Sequence, residues 1–249
     1  MSQSPLISAK GLCKQFGAVH AARDMTVDIH AQTITGLIGT NGAGKTTFVN
    51  MLTGYMKPDS GNIFFAGREI TGLPPREVTR MGIARSFQIP QLFTSLNALE
   101  NVEIALGVAK QPLSEASAIL ERFGLSAFAQ SQAGTLPEGI RKLLDIALAM
   151  VAQPKVLLLD EPTSGVASDE KFEVMDRVMK VVRDAGVTVL FVEHDMEIVR
   201  RYSDRVLAFY DGTILANGTP DEVLAHEQVR EYIIGEPVGR NKQEADNVA

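Results

Sequence analysis

Residues 39–46 read Gly-Thr-Asn-Gly-Ala-Gly-Lys-Thr and satisfy G-x-x-x-x-G-K-[ST] at every required position. Glycines at this spacing let successive backbone N–H groups curl around a β-phosphate, and a helix that follows turns its positive end toward the same anion. Lys45 is placed to reach the β- and γ-phosphates, and the Thr46 hydroxyl to ligate Mg²⁺. A second group of reactive types closes the run Val156-Leu157-Leu158-Leu159 with Asp160-Glu161. Acids at the carboxyl end of a buried parallel strand lie where open α/β sheets bind ligands. Asp160 then suits a magnesium ion held through its waters, and Glu161 suits a base that orients and deprotonates an attacking water. An acidic pair after an apolar run says little by itself, because most such acids are helix N-terminal or solvated. Its weight comes from the phosphate loop in the same chain.

The elements that position these groups follow from hydrophobic period and punctuation. Residues 25–29 alternate apolar and polar, and 33–38 form a β-branched run ending in glycine. Past the glycine-rich turn, Phe48, Val49, Met51 and Leu52 fall at helical spacing and predict a helix over 45–55. A turn cluster at 57–61 precedes a strand at 62–65. From about 92 to 152 the pattern is helical and strand-poor, broken at Pro112, Gly124 and 134–137. The runs 156–159 and 187–192 are apolar throughout, as parallel strands buried on both faces are. A helix is predicted between them at 169–184, and 206–210, Asp211-Gly212 and 213–216 predict a hairpin. The order is β-rich, then α-rich, then alternating, which predicts an α/β core with a helical insertion. The core is expected at 5–87 and 153–235, the helical subdomain at about 88–152, and a flexible polar tail at 239–249.

Composition narrows the classes further. The 249 residues are 45% hydrophobic and 22% charged, ordinary for a soluble globular protein. A net charge of −6 opposes a main role in gripping nucleic acid, which needs a Lys/Arg excess. Cys13 is the single cysteine, which fits a reducing compartment. The opening residues show no basic region followed by a long apolar run, so no secretory signal is expected. The apolar stretch 146–159 is interrupted by Gln153, Pro154 and Lys155 and is too short to span a bilayer. A membrane role must therefore come through a partner.

Over residues 5–235 the chain resembles the ATP-binding cassette (ABC) ATPases, which implies a P-loop NTPase fold with an N-terminal antiparallel β subdomain and a helical insertion. The resemblance implies ATP and Mg²⁺ as cofactors, with a nucleotide set of Phe16, Gly39, Asn41, Gly42, Ala43, Gly44, Lys45, Thr46 and Thr47. Phe16 matches the aromatic that stacks on adenine. Gln88, in Ala84-Arg85-Ser86-Phe87-Gln88, matches the glutamine that touches Mg²⁺ and the attacking water and opens the helical insertion. His194 matches the switch histidine at the γ-phosphate. The implied catalytic set is Glu161, His194 and Gln88, and the implied metal set is Thr46, Gln88 and Asp160. The segments 82–88, Leu99-Glu100-Asn101-Val102 and Glu193-His194-Asp195-Met196 resemble the subfamily that drives bacterial uptake of branched-chain amino acids, amides and urea. Such a subunit sits on the cytoplasmic face of the inner membrane, docks transmembrane permease subunits around residues 88–101, and makes no contact with the solute. Export-type cassettes share every catalytic motif. Soluble cassettes acting on DNA or ribosomes carry coiled-coil insertions, cysteine pairs or duplicated cassettes, none of which this sequence contains.

Two family elements are altered. The signature Leu-Ser-Gly-Gly-Gln reads Leu136-Pro137-Glu138-Gly139-Ile140, and the acid or amide expected three residues after Ser164 is Ala167. Both elements act in trans on a partner's nucleotide, whereas those acting in cis are kept. The pattern implies an asymmetric heterodimer with a second, different ATPase subunit; the alternative is a homodimer with two weak sites or with a signature whose backbone still works.

Overall fold

The computed structural model describes residues 4–235, so the tail expected at 239–249 lies outside the described residues. Strands β1 (Ile7–Phe16), β2 (Val19–Ile29), β4 (Ser60–Phe65) and β5 (Arg68–Glu69) form an antiparallel sheet in the order β2-β1-β4-β5. The second sheet runs β10-β9-β3-β8-β7-β6, from β3 (Ile34–Gly39), β6 (Ile83–Ser86), β7 (Val156–Asp160), β8 (Thr188–Val192), β9 (Arg205–Tyr210) and β10 (Thr213–Gly218). Five of its strands are parallel, and β10 joins by the hairpin at Asp211-Gly212. Both turn residues have positive φ, +45° and +75°, as a type I′ turn requires.

Successive residues of a strand face opposite ways, so the apolar runs are divided between two cores. Leu37, Leu158, Leu190 and Leu207 pack toward the antiparallel sheet, with Phe48 and Val49 of α1 (Lys45–Leu52). Ile38, Leu157, Leu159, Val189 and Phe191 pack on the other side, with α6 (Lys171–Asp184) and α7 (Met196–Tyr202). Burial on both faces explains why these strands read as unbroken apolar runs. Helix α2 (Pro75–Met81) precedes β6, and between β6 and β7 come α3 (Ala98–Ala109), α4 (Ala116–Arg122) and α5 (Glu138–Met150), whose apolar faces join the second core.

Among the differences from the sequence expectation are two helix boundaries and one strand. Helix α1 stops at Leu52 rather than residue 55. Thr53 Oγ1 turns back to the Val49 carbonyl at 2.7 Å, and Gly54 enters the left-handed region at φ +76°. The helix expected at 169 begins at Lys171, after a turn closed by Glu170 N–H on the Ala167 carbonyl at 3.0 Å. Strand β6 was not expected, since Ile-Ala-Arg-Ser is short and carries a charge. Its pairing with β7, Arg85 beside Leu158 and Ser86 beside Leu159, supplies what its composition lacks.

Candidate nucleotide and catalytic site

The strands β3, β8, β7 and β6 are consecutive neighbours in the parallel sheet, and each delivers one reactive segment at its carboxyl end. β3 runs into the glycine loop, β8 into Glu193-His194, β7 into Asp160-Glu161, and β6 into Phe87-Gln88. Neighbouring strands are about 4.8 Å apart, so four adjacent ends fall within about 15 Å. Segments spread over more than 150 residues of sequence thus meet on one edge.

The loop itself depends on two glycines. Gly39 has φ +151°, and a Cβ there would stand 2.4 Å from the Phe209 carbonyl oxygen. Gly44 has φ +104°, and a Cβ would meet the Ala21 carbonyl oxygen at 2.6 Å. Lys45 is buried and folded over the loop, its Nζ donating to the carbonyls of Gly39 at 2.7 Å and Thr40 at 3.0 Å. Burial pulls its pKa below the ordinary lysine value, against the opposing pull of Glu161 and Asp160. Asn41, Gly42 and Thr46 are exposed, Thr47 is half-buried, and Ala43 is buried with its carbonyl accepting from Gly212 N–H at 3.2 Å.

Gln88, Glu161 and His194 are brought together. Gln88 Nε2 donates to one Glu161 carboxylate oxygen at 2.8 Å, and His194 Nε2 lies 3.2 Å from the other. Glu193 is buried behind them. It accepts from Thr163 Oγ1 at 2.5 Å, from Thr163 N–H at 3.1 Å and from His194 N–H at 3.1 Å, so it fixes the backbone on both sides of the trio. Asp160 lies beside Glu161 with one oxygen held by Arg85 Nη2 at 2.7 Å. Phe16, half-exposed, closes the β1–β2 hairpin opposite Val19. The Lys14 ammonium lies 5.6 Å from the Phe16 ring centroid.

The roles of three residues here escaped the sequence reading, and a fourth residue is placed differently. Arg85 binds Asp160, donates to Asn50 Oδ1 at 2.7 Å and stacks on Phe87 at 4.9 Å. An arginine inside a short strand is a signal that could have been used, because a buried guanidinium needs a carboxylate. Lys142 and Asp145, both buried on α5, had no such signal. Asn101, expected on a docking surface, is itself buried and bonds both backbone groups of Phe93, at 2.9 and 3.1 Å. Leu92 joins the second core, while Ile89 and Phe93 are exposed.

The altered segment at 136–140 forms the start of α5. Pro137 occupies the N-cap with no side-chain cap, and Glu138 pairs with Arg141 one turn along. Gly139, the surviving glycine, is buried where a Cβ would meet Val174 of α6 at 3.2 Å.

Residues 22–164 match the family described as ABC transporter. The chain belongs to that family. This cassette is 38% identical to the high-affinity branched-chain amino acid transport ATP-binding protein LivG of Escherichia coli K12, over 95% of this chain and all of the relative. It is 35% identical to the corresponding protein BraF of Pseudomonas aeruginosa, over 93% and 98% of the two chains. Among solved structures it resembles the ADP conformation of MJ1267, an ATP-binding cassette of an ABC transporter. The TM-score is 0.85 and the identity 30%, over 94% of this chain and 100% of that one. The cassette is an ATP-binding, ATP-hydrolysing subunit of an ABC transporter. Among the described residues no helix is long and apolar enough to cross a membrane.

Proposed function

We propose that this cassette powers uptake of branched-chain amino acids or related small polar solutes such as amides and urea. It works from the cytoplasmic face of the membrane, bound to permease subunits and paired with a second, different ATPase subunit. The observation that carries the catalytic reading is the bonded set Gln88–Glu161–His194 beside the glycine loop. The solute reading rests on likeness to LivG and BraF, whose names specify branched-chain amino acid transport. The core comprises 5–87 and 153–235, and 88–152 is the subdomain that meets the permease, where Ile89 and Phe93 stand exposed.

Each residue then has a task. Phe16 offers an exposed ring face to adenine. The backbone of 39–47 cradles the phosphates, and Lys45 exchanges its carbonyl partners for phosphate oxygens. The donor set of Thr46 hydroxyl, Asp160 carboxylate and Gln88 amide fits magnesium, which takes few carboxylates and completes its shell with water and phosphate. Among the described residues no group of three His, Cys, Asp or Glu side chains forms a competing protein cage. Magnesium held there would supply neutralisation of the charge on the phosphates. Glu161 accepts the proton of the attacking water, Gln88 orients that water, and His194 reads the γ-phosphate.

The second ATPase subunit is inferred from α5. A phosphate clamp needs open N–H donors at a helix N-terminus. Here Pro137 has no N–H to give, and Glu138 fills the first turn with negative charge that Arg141 answers. Steady-state ATP hydrolysis by the purified chain, alone and with each candidate ATPase subunit, tests the reading. Near-zero turnover alone, rising sharply with one partner, is expected. Full turnover alone means that 136–140 serves as an adequate signature and the working unit is a homodimer.

A further inference from the structure

Past Ser86 the loop 86–91 leaves the sheet, and α5 takes over holding it. Asp145 accepts from Ser86 Oγ at 2.7 Å and from Gln91 N–H at 2.8 Å, and the Phe87 backbone also bonds to it. Lys142 Nζ donates to the Gln88 carbonyl and, at 3.3 Å, to the Glu161 carbonyl. Both side chains are buried, Lys142 1% and Asp145 6% exposed, and they stand three residues apart on one face of the helix. Burial lowers the lysine pKa and raises that of the aspartate, so each charged form depends on these partners. A lysine and an aspartate kept in a core are costly, and an apolar pair would pack there at less cost. Their partners are the backbone and hydroxyl groups that carry Gln88 and Glu161.

The same helix begins at Pro137-Glu138, the segment that faces a partner's nucleotide in the asymmetric dimer proposed above. Lys142 lies four residues from Glu138, about 6 Å along the axis. We infer that Lys142 and Asp145 are positioning residues that fasten Gln88 and Glu161 to α5, so that the placement of this helix sets the alignment of hydrolysis in this chain's own site. The inference rests on the reading that Gln88 and Glu161 act on the attacking water.

The test compares Lys142→Met, Lys142→Arg and Asp145→Asn in the full chain. Amide hydrogen exchange is followed in 86–91 with 45–52 as control, together with Mg-ATP affinity and turnover in whichever pairing hydrolyses ATP. Lys142→Met is expected to keep Mg-ATP affinity within about twofold and to lower turnover by about a hundredfold, the cost of misplacing a reacting group by an ångström. Exchange should quicken in 86–91 and stay unchanged in 45–52, and Lys142→Arg should restore both exchange and turnover. A merely structural lysine predicts instead that affinity, turnover and exchange in both segments change together, and that result overturns the inference, as does unchanged exchange and turnover. Should Lys142→Met fail to fold, Asp145→Asn decides, since it removes charge at nearly constant volume. Faster exchange at the Phe87 and Gln91 amides with reduced turnover upholds the bracket, and wild-type behaviour sinks it. A wild-type chain that did not bind Mg-ATP would overturn the site reading instead, while exchange in 86–91 would still report on the bracket.

Discussion

Glu161 holds φ at +49°, a left-handed conformation that costs a non-glycine residue about 1 kcal/mol or more and persists only where the surroundings over-determine it. Its N–H is bound to the Val192 carbonyl at 3.1 Å, its carbonyl to Lys142, and its carboxylate to Gln88 and His194. Every polar group of the residue is therefore directed, as the proposed base must be to stay aimed at one water. Glu161→Gln preserves shape while removing the proton acceptor. Turnover should fall by about 10²–10⁴-fold with Mg-ATP still retained, measured as phosphate release against filter-bound nucleotide. Lys45→Ala should behave oppositely, losing nucleotide binding itself, because the ammonium meets the phosphates in the bound state. Normal turnover by Glu161→Gln would place the base elsewhere. The trio was legible only in part from sequence: Asp160-Glu161 announced itself through the apolar run before it, but Gln88 and His194 needed the family pattern. Lys142 and Asp145 read as the polar side of a helix, and only the fold shows that this side is turned inward.

Elements were legible where burial leaves a mark on composition. The strands β3, β7 and β8 are buried on both faces and read as apolar runs, and the hairpin turn reads as Asp-Gly. Strand β6 left no such mark because Arg85 is stabilised by Asp160, a residue 75 positions away. Helix α7 is an element whose start rests on one side chain. Asp195 accepts from Glu197 N–H at 2.9 Å and Ile198 N–H at 3.4 Å and pairs with Lys171 of α6. Asp195→Ala should cost about 1 kcal/mol at neutral pH, lowering Tm by about 2–4 °C for a chain of this size. The Lys171 partner and the N–H bonds hold the Asp195 pKa below the ordinary carboxylate value. A depressed folded pKa contributes stability that is complete above the unfolded value, about 3.9, and disappears as pH falls through the folded one. The Tm difference between variant and wild type should thus stay constant from about pH 7 to 5 and shrink below about pH 4. Melting curves at three pH values check it, and a difference that widens on acidification would show that the cap is not the cause.

At the scale of the molecule, the parallel sheet brings the glycine loop, Gln88, Asp160, Glu161 and His194 onto one edge, while α5 begins at Pro137 with no side-chain cap and with Glu138 paired to Arg141. A homodimer of this chain would have two equal sites that both lack the clamp, whereas pairing with a different subunit makes the two sites chemically unequal. Pro137→Ser with Glu138→Gly restores a hydroxyl, an N–H and a neutral first turn without touching Lys45, Asp160 or Glu161. In the lone chain the double variant should raise turnover by about tenfold or more, since a single preorganised donor to developing charge is worth about 10²–10³-fold. Beside an intact partner subunit the gain should be no more than about twofold, because one site there already has its clamp and only the second is repaired. A large gain alone with a small gain in the pair places the defect in trans, at the altered signature. A lone wild-type chain that already turns over rapidly, and does not respond to the double variant, means that Gly139 and the packing of α5 on Val174 suffice to present the helix end to a phosphate.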